Sequence, residues 1–208
     1  MKKLFLFLIA LFAGLSLIAA PAYAQVNFFI DAEIPASDGA TFAVSQVDPG
    51  PPEVFTPMAP GFTALDFGLL TLDTVNGIFV PNYFWVVDVG ANGAGFPDVD
   101  FAYTDTVNPN GALNNGDGLG GRGTIAYSEV VTNPDLSQTV NLIRGESLAE
   151  SNTSGGIDEL DYADGFLRFS IGIATGDPLL QEGTAVPFTA ADAAGTYSGT
   201  LTVTATFD

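Results

Sequence analysis

The C-terminal segment, residues 195–208, constrains the fold most strongly because its side chains alternate without a break. Successive side chains of a β-strand point to opposite faces, so the alternation predicts a strand with one core face and one water-facing side. β-branched residues favour the extended backbone that this requires. The predicted core side contains Tyr197, Gly199, Leu201, Val203, Ala205 and Phe207, and the other side contains Thr196, Ser198, Thr200, Thr202, Thr204 and Thr206.

The residues that lead into this strand form the pattern Asp-x-x-Gly-x-Tyr. Asp192, Gly195 and Tyr197 occupy its fixed positions. The pattern is typical of the tyrosine corner of Greek-key sandwiches, in which the hydroxyl bonds to the backbone a few residues upstream. We therefore interpret these three residues as structural.

The N-terminus has the features of a secretory signal peptide. Two lysines precede an apolar run at residues 4–20, and Ala22-Tyr23-Ala24 forms an A-x-A cleavage site. A membrane anchor is the alternative, because an apolar run of this length nearly spans a bilayer. We predict cleavage after residue 24, with no membrane span in residues 25–208. The product is expected to be secreted, in the periplasm, at the cell surface or outside the cell.

Charge and missing residue types exclude several functions. Three arginines against 24 acidic residues give residues 25–208 a net charge of −21. This charge repels the phosphates of nucleic acids, so we expect no nucleic acid partner. The chain also has no His and no Cys, and therefore cannot build a Ser-His-Asp triad, a thiol nucleophile or an ordinary zinc site. We predict that the protein is not an enzyme.

Short alternating segments separated by turn signals predict one all-β domain, an antiparallel β-sandwich over residues 25–208. We expect nine or ten strands and no helix after the leader. The five prolines of residues 48–61 predict a loop, because Pro cannot donate to a sheet ladder. Asn76-Gly77 predicts a hairpin turn.

The densest aromatic cluster is Tyr83, Phe84 and Trp85. Such clusters can be platforms for sugars, but this one lies in a nearly continuous apolar run. Its setting favours packing in the core.

The Gly- and Asn-rich segment 105–123 is the most site-like loop of the chain. Its Asn-Pro-Asn-Gly sequence matches part of the calcium-loop spacing D-x-[DN]-x-[DN]-G. The match is incomplete, because Thr106 stands at the first ligand position and position twelve is Asp rather than Glu. Ordinary turn chemistry explains the same residues, so no cofactor is expected unless calcium binds here. The candidate calcium ligands are Asp105, Asn108, Asn110 and Asp117.

A second acidic loop, residues 158–164, contains four carboxylates before a further alternating strand. Carboxylate pairs hydrolyse glycosides or bind cations in other proteins. No second motif accompanies this group, which favours a solvated turn.

The first segment after the leader, residues 26–34, alternates regularly and is followed by Pro35 and a Ser-Asp-Gly turn. In one interpretation it pairs within its own domain and covers a sheet edge. In the other it is a donor strand that fills a groove of a neighbouring subunit, with Val26, Phe28 and Ile30 inserted.

Two segments carry a family resemblance: Leu65–Gly68 and Gly195–Thr204. Together they resemble the pilin-like sandwich of spore coat protein U and of chaperone–usher fimbrial subunits. In that family a strand from another subunit completes an incomplete immunoglobulin-like sandwich. The resemblance implies an immunoglobulin-like, pilin-like fold and a structural subunit of an extracellular surface or fimbria-like assembly. Its partners would be copies of itself or other surface subunits, joined by strand addition.

A different class of function remains open. The chain could be a monomeric secreted module that binds carbohydrate or calcium through segments 105–123 and 157–164.

Overall fold

The computed structural model describes residues 26–33, 40–91, 97–130, 141–157, 166–177, 180 and 182–206. These residues form thirteen β-strands and two short 3-10 turns, at residues 119–121 and 150–152. The strands are β1 Val26–Glu33, β2 Ala40–Asp48, β3 Val54–Pro57, β4 Ala64–Leu69, β5 Thr71–Asp73, β6 Ile78–Val80, β7 Phe84–Ala91, β8 Asp98–Val107, β9 Gly123–Val130, β10 Asn141–Ser147, β11 Phe166–Ile173, β12 Phe188–Thr189 and β13 Gly195–Thr206.

Two larger sheets enclose the core. One has the strand order β4-β1-β13-β8, and the other has the order β10-β9-β11-β7-β2-β3. A small third sheet has the order β12-β6-β5. Neighbouring strands are antiparallel except β1 and β13, which run parallel. The prediction of an all-β antiparallel sandwich is confirmed.

The alternation in the sequence decides which side chains enter the core. In β13 the odd-numbered positions from 197 to 205 are buried, and the threonines between them are partly or fully exposed. The same rule holds in β8, whose Phe101 lies between the sheets. Its ring centroid is 5.0 Å from that of Phe169 in β11 and 4.7 Å from that of Tyr127 in β9. Side chains from both large sheets therefore share one hydrophobic core.

Two local predictions are confirmed. The sequence Asn76-Gly77 lies in the turn between β5 and β6, where the Gly77 N–H donates to the Asp73 carbonyl at 2.8 Å. Trp85 is only 2% exposed. Its ring stacks on Phe62 at 5.4 Å, so it is a core residue and cannot serve as an open platform for a sugar ring.

The expected strand count was wrong, and one reason lies in the proline-rich segment. Residues 48–61 were predicted as a loop, yet they contain the four-residue strand β3. β3 pairs with β2 along one side and lies at the edge of its sheet, with Pro57 as its last residue. An edge strand tolerates Pro because one of its two sides has no ladder to complete.

Several sequence predictions fall on residues outside the described part. These are the leader with its cleavage site, the hinge at 35–39 and the acidic loop at 158–164. In the described part, no helix has the length and apolar character needed to cross a membrane.

Candidate functional site

The first strand, β1, lies in the interior of the four-stranded sheet. It pairs parallel to β13 in eight register pairs, from Val26↔Gly195 to Glu33↔Thr202. On its other side it pairs antiparallel to β4. The strand therefore pairs within its own domain, but it does not cover an edge as that interpretation expected. It separates β4 from β13 and is bonded to both.

The three residues predicted for a donor strand all lie in this interior position. Val26, Phe28 and Ile30 are the register partners of Gly195, Tyr197 and Gly199. The Ile30 side chain is 0% exposed and belongs to the main core. Without β1, the backbones of β4 and β13 would lose their shared partner and the core would lose this side chain.

The outer edge of β8 is closed by groups from other segments. The backbone of Val99 exchanges two hydrogen bonds with Ile157, at 2.9 and 2.7 Å. The Asn152 amide accepts from the Tyr103 N–H at 2.6 Å and donates to its carbonyl at 2.9 Å. Another strand would have to displace these groups before it could pair with β8.

The remaining edges of the two large sheets are short or irregular. β4 has a register shift opposite β1, and its exposed Asp66 accepts a hydrogen bond from the Gly68 N–H at 2.7 Å. At the end of β10, Glu150 accepts from the Ser147 N–H at 2.8 Å. Burial acts to raise the pKa of the Glu150 carboxyl, but hydrogen bonds from Thr184 and Ser147 together hold it below its usual value. Bulges, charges and caps are the means by which sheet edges avoid pairing with other chains.

Asp105, the first candidate calcium ligand, is buried at 2% exposure. Its Oδ1 accepts hydrogen bonds from the Tyr103 hydroxyl and the Gly120 N–H, both at 3.0 Å, and its Oδ2 accepts from the Asn114 N–H at 3.1 Å. A Cβ on Gly118 would lie 2.3 Å from the same Oδ2, which explains the glycine. Burial and the neighbouring carboxylate raise the pKa of Tyr103 well above its usual value.

The other candidate ligands also have protein partners. The side-chain oxygen of Asn108 accepts from the Asn110 N–H at 3.0 Å, and that of Asn110 accepts from the Ala193 N–H. Asp117 is exposed, and its carboxylate lies 3.9 Å from the Arg122 guanidinium. Within the described ranges, no group of three or more acidic side chains converges to hold a metal ion. The geometry of this loop is that of interlocking turns.

The tyrosine corner connects that loop to β13. The Tyr197 hydroxyl donates to the Ala193 carbonyl at 2.8 Å. Burial and the nearby Asp192 carboxylate raise the pKa of Tyr197 to about 12. Asp192 accepts from the Thr189 N–H at 2.8 Å. Gly195 has a φ of +151°, and a Cβ there would lie 2.9 Å from the Pro109 ring.

The sequence analysis missed the groups that close the β8 edge. Asn152 lies 49 residues from Tyr103, and no local pattern connects the two. The inward position of Asp105 was detectable, because it continues the alternation of Val99, Phe101 and Tyr103 in β8.

Comparison of the chain with protein-family models, with curated proteins and with solved structures found no match. The resemblance to pilin-like sandwiches therefore stays a prediction.

Proposed function

We propose that this chain is a secreted, non-enzymatic structural subunit of an extracellular surface or fimbria-like assembly. Copies join when β1 of one subunit takes the place of β1 in another. The observation that carries the proposal is that an N-terminal strand occupies the slot between β4 and β13, bonded on both sides.

The exchange of β1 conserves the interactions of the folded domain. The entering strand makes the same backbone hydrogen bonds to both neighbours and buries the same Ile30 side chain. Swapping an identical element between subunits costs little for this reason, and the connecting segment decides which form prevails. The connection to β2 is residues 34–39, which can span about 20 Å when extended.

The protected edges direct assembly to this slot. Pairing at the outside of β8 would require removal of Asn152 and Ile157. Pairing at β4 would meet the exposed Asp66 and a bulge. The β1 slot offers eight register pairs on one side alone, which makes it a long and specific site for β-strand addition.

The composition supports a role without catalysis, because the chain has no His or Cys to act as base or nucleophile. The alternative, a carbohydrate- or calcium-binding module, gains no support from the described residues. Trp85 is enclosed in the core. The oxygens of Asp105, Asn108 and Asn110 already accept protein hydrogen bonds.

The test deletes residues 25–34 from the secreted chain and measures its oligomeric state by light scattering and negative-stain microscopy. We expect the deletion variant to be monomeric and to bind a synthetic peptide of residues 25–34. The same peptide with Ile30→Asp should not bind, because the substitution puts a charge into the core. A deletion variant that assembles as well as the full secreted chain would contradict the proposal.

A second variant covers the case in which the deleted chain does not fold. Phe29→Cys with Ser198→Cys places a cysteine pair at register partners on β1 and β13. The chain has no other cysteine, so oxidation of dilute monomer locks β1 into its own domain, whereas after exchange the same pair would link two copies. We expect monomer oxidised in this way to remain monomeric and the reduced form to assemble. Equal assembly of both forms would rule out exchange of β1.

A further inference from the structure

All three arginines of the described residues lie beside carboxylates, and the side chains of Arg122 and Arg168 are mostly buried while that of Arg144 is 32% exposed. The pairs are Arg122–Asp192, Arg144–Glu146 and Arg168–Asp88. The only other basic side chains of the sequence are Lys2 and Lys3, which lie outside the described part.

Arg168 and Asp88 are neighbours on β11 and β7 and form the tightest pair. Nε lies 2.6 Å from one carboxylate oxygen, and a terminal nitrogen lies 2.9 Å from the other. The guanidinium also lies over the Phe55 ring, 5.5 Å from its centroid. Both side chains are buried, so this positive charge does not reach the surface.

The other two arginines are held by several groups each. Arg122 lies 2.8 Å from Asp192, donates to the Pro187 carbonyl at 3.0 Å and lies over an aromatic ring. Arg144 lies over the Tyr127 ring, donates to the Gly155 carbonyl at 2.7 Å and approaches Glu146 to 3.7 Å. Neither is available to a carboxylate of another molecule without loss of these contacts.

The surface charge is consequently dominated by carboxylates. Four acidic side chains lie within 4 Å of an arginine nitrogen, and three arginines cannot neutralise 24 acidic residues. Four exposed acidic side chains lie on different strands or loops: Asp48, Glu53, Asp66 and Asp100. A net charge of this size keeps copies apart through long-range repulsion.

We infer that ionic strength controls contact between copies of this chain, so that subunits associate only when salt screens their common negative charge. This rests on the proposed function and adds its regulation. The range of the repulsion falls from about 30 Å at 0.01 M salt to about 3 Å at 1 M. At the higher salt concentration, only surfaces in near contact still repel.

The same repulsion between like charges acts on the position that β1 occupies between β4 and β13. β1 contains Asp31 and Glu33, and of the two strands that flank it, β4 presents the exposed Asp66. An entering strand from another copy therefore brings acidic residues to a slot whose two flanking strands, β4 and β13, contain no basic residue. Repulsion of this kind slows the encounter, just as opposite charge accelerates it by about tenfold to a thousandfold.

In this inference salt acts by screening the negative charge of the copies, and no ion has to bind at a dedicated site. Within the described residues no cluster of acidic side chains is arranged to hold a metal. Magnesium and calcium chloride at equal concentration should therefore act alike. A selective response to calcium would contradict this inference and favour a dedicated ion site.

The experiment measures the second virial coefficient and the oligomeric state of the secreted chain by light scattering, from about 0.01 to 1 M NaCl. We expect strong repulsion at low salt, decay of the repulsion with salt, and an association rate that rises by about tenfold or more. Glu53→Lys with Asp100→Lys should shift association to lower salt, and the matched neutral variant, Glu53→Gln with Asp100→Asn, should lie between.

The outcomes separate this inference from the proposed function. Assembly that is as fast at low salt as at high salt would overturn the inference and leave the function standing. A virial coefficient that does not change with salt would overturn it as well. Repulsion that decays with salt, without assembly at any concentration, would support the electrostatic account of the surface and overturn the proposed subunit role.

Discussion

Asn152 pairs both ends of its side-chain amide with the backbone of Tyr103, at 2.6 Å to the N–H and 2.9 Å to the carbonyl. The amide presents a donor and an acceptor side by side, as the backbone of a neighbouring strand would. It therefore takes the place of a strand at the edge of β8. The sheet ends here without leaving these two backbone groups for another chain.

Removal of this amide should weaken the fold and open the edge. We expect Asn152→Ala to lower the free energy of unfolding by about 1–2 kcal/mol, since each of two bonds contributes roughly 1 kcal/mol net. Denaturant unfolding measures the loss, and hydrogen exchange at the Tyr103 amide should accelerate. Asn152→Asp is the matched control, because it keeps the shape and the acceptor but loses the donor. If neither variant changes exchange at Tyr103, the amide does not close this edge.

Loss of one partner of the Arg168–Asp88 pair should lower the free energy of unfolding more than Asn152→Ala does, because both side chains of the pair are buried. Asp88→Ala leaves the guanidinium without its carboxylate and should cost about 3–5 kcal/mol. The double variant Asp88→Leu with Arg168→Met removes both charges and should recover most of that loss. Urea unfolding of Asp88→Leu, of Arg168→Met and of the double variant measures the coupling. Single losses that simply add in the double variant would mean that the two groups do not interact.

The alternating pattern predicted the strands whose two faces differ. In β8 and β13 every second side chain is apolar, and the structure buries those positions. Such a pattern states which face of a strand is buried. It contains no information about the strand's neighbours, so the parallel pairing of β1 with β13 could not be inferred.

The polar contacts were less predictable for a related reason. Asp105 continues the inward series of β8, so burial was foreseeable, but two of its three donors, Asn114 and Gly120, come from separate turns. The same acidic and amide residues match a calcium motif in part and turn chemistry in part. Only the three-dimensional arrangement shows that protein N–H and O–H groups occupy their oxygens.

The face assignment of β13 can be tested with two neighbouring substitutions. Val203 is 1% exposed, and the adjacent Thr204 is exposed. Val203→Asp puts an unpaired charge into the core and should destabilise the fold by more than about 4 kcal/mol. Thr204→Asp, one residue along, stays in water but faces Asp100 on β8, and it should cost only about 1 kcal/mol. Thermal melting of the two variants decides the matter, and similar melting temperatures would show that this face is not packed as described.

The tyrosine corner should contribute a single hydrogen bond to stability. The Tyr197 hydroxyl donates to the Ala193 carbonyl at 2.8 Å, and Tyr197→Phe removes it without changing the ring. We expect a loss of about 1 kcal/mol in the free energy of unfolding. The ring still packs against Phe188, with centroids 4.8 Å apart, so the variant should keep its fold by circular dichroism. An unchanged stability would mean that water replaces the bond at no cost.

The buried phenols predict destabilisation in alkali. Burial, with nearby carboxylates adding to it, raises the pKa of Tyr103 and Tyr127 well above the usual value and that of Tyr197 to about 12. A raised pKa means that the folded state keeps the proton after the unfolded state has lost it. The stabilisation is therefore complete below the unfolded phenol pKa of about 10, and it declines as pH rises through the folded pKa.

Phenolate absorbance and circular dichroism, followed together as pH increases, test this account. We expect these phenols to ionise only as the sheets unfold, so that the two signals change in the same pH range above about 10. In Tyr197→Phe the part of the decline due to that phenol should disappear, while the part due to Tyr103 and Tyr127 remains. Ionisation of every tyrosine near the ordinary phenol pKa in a chain that is still folded would contradict the burial of these three rings.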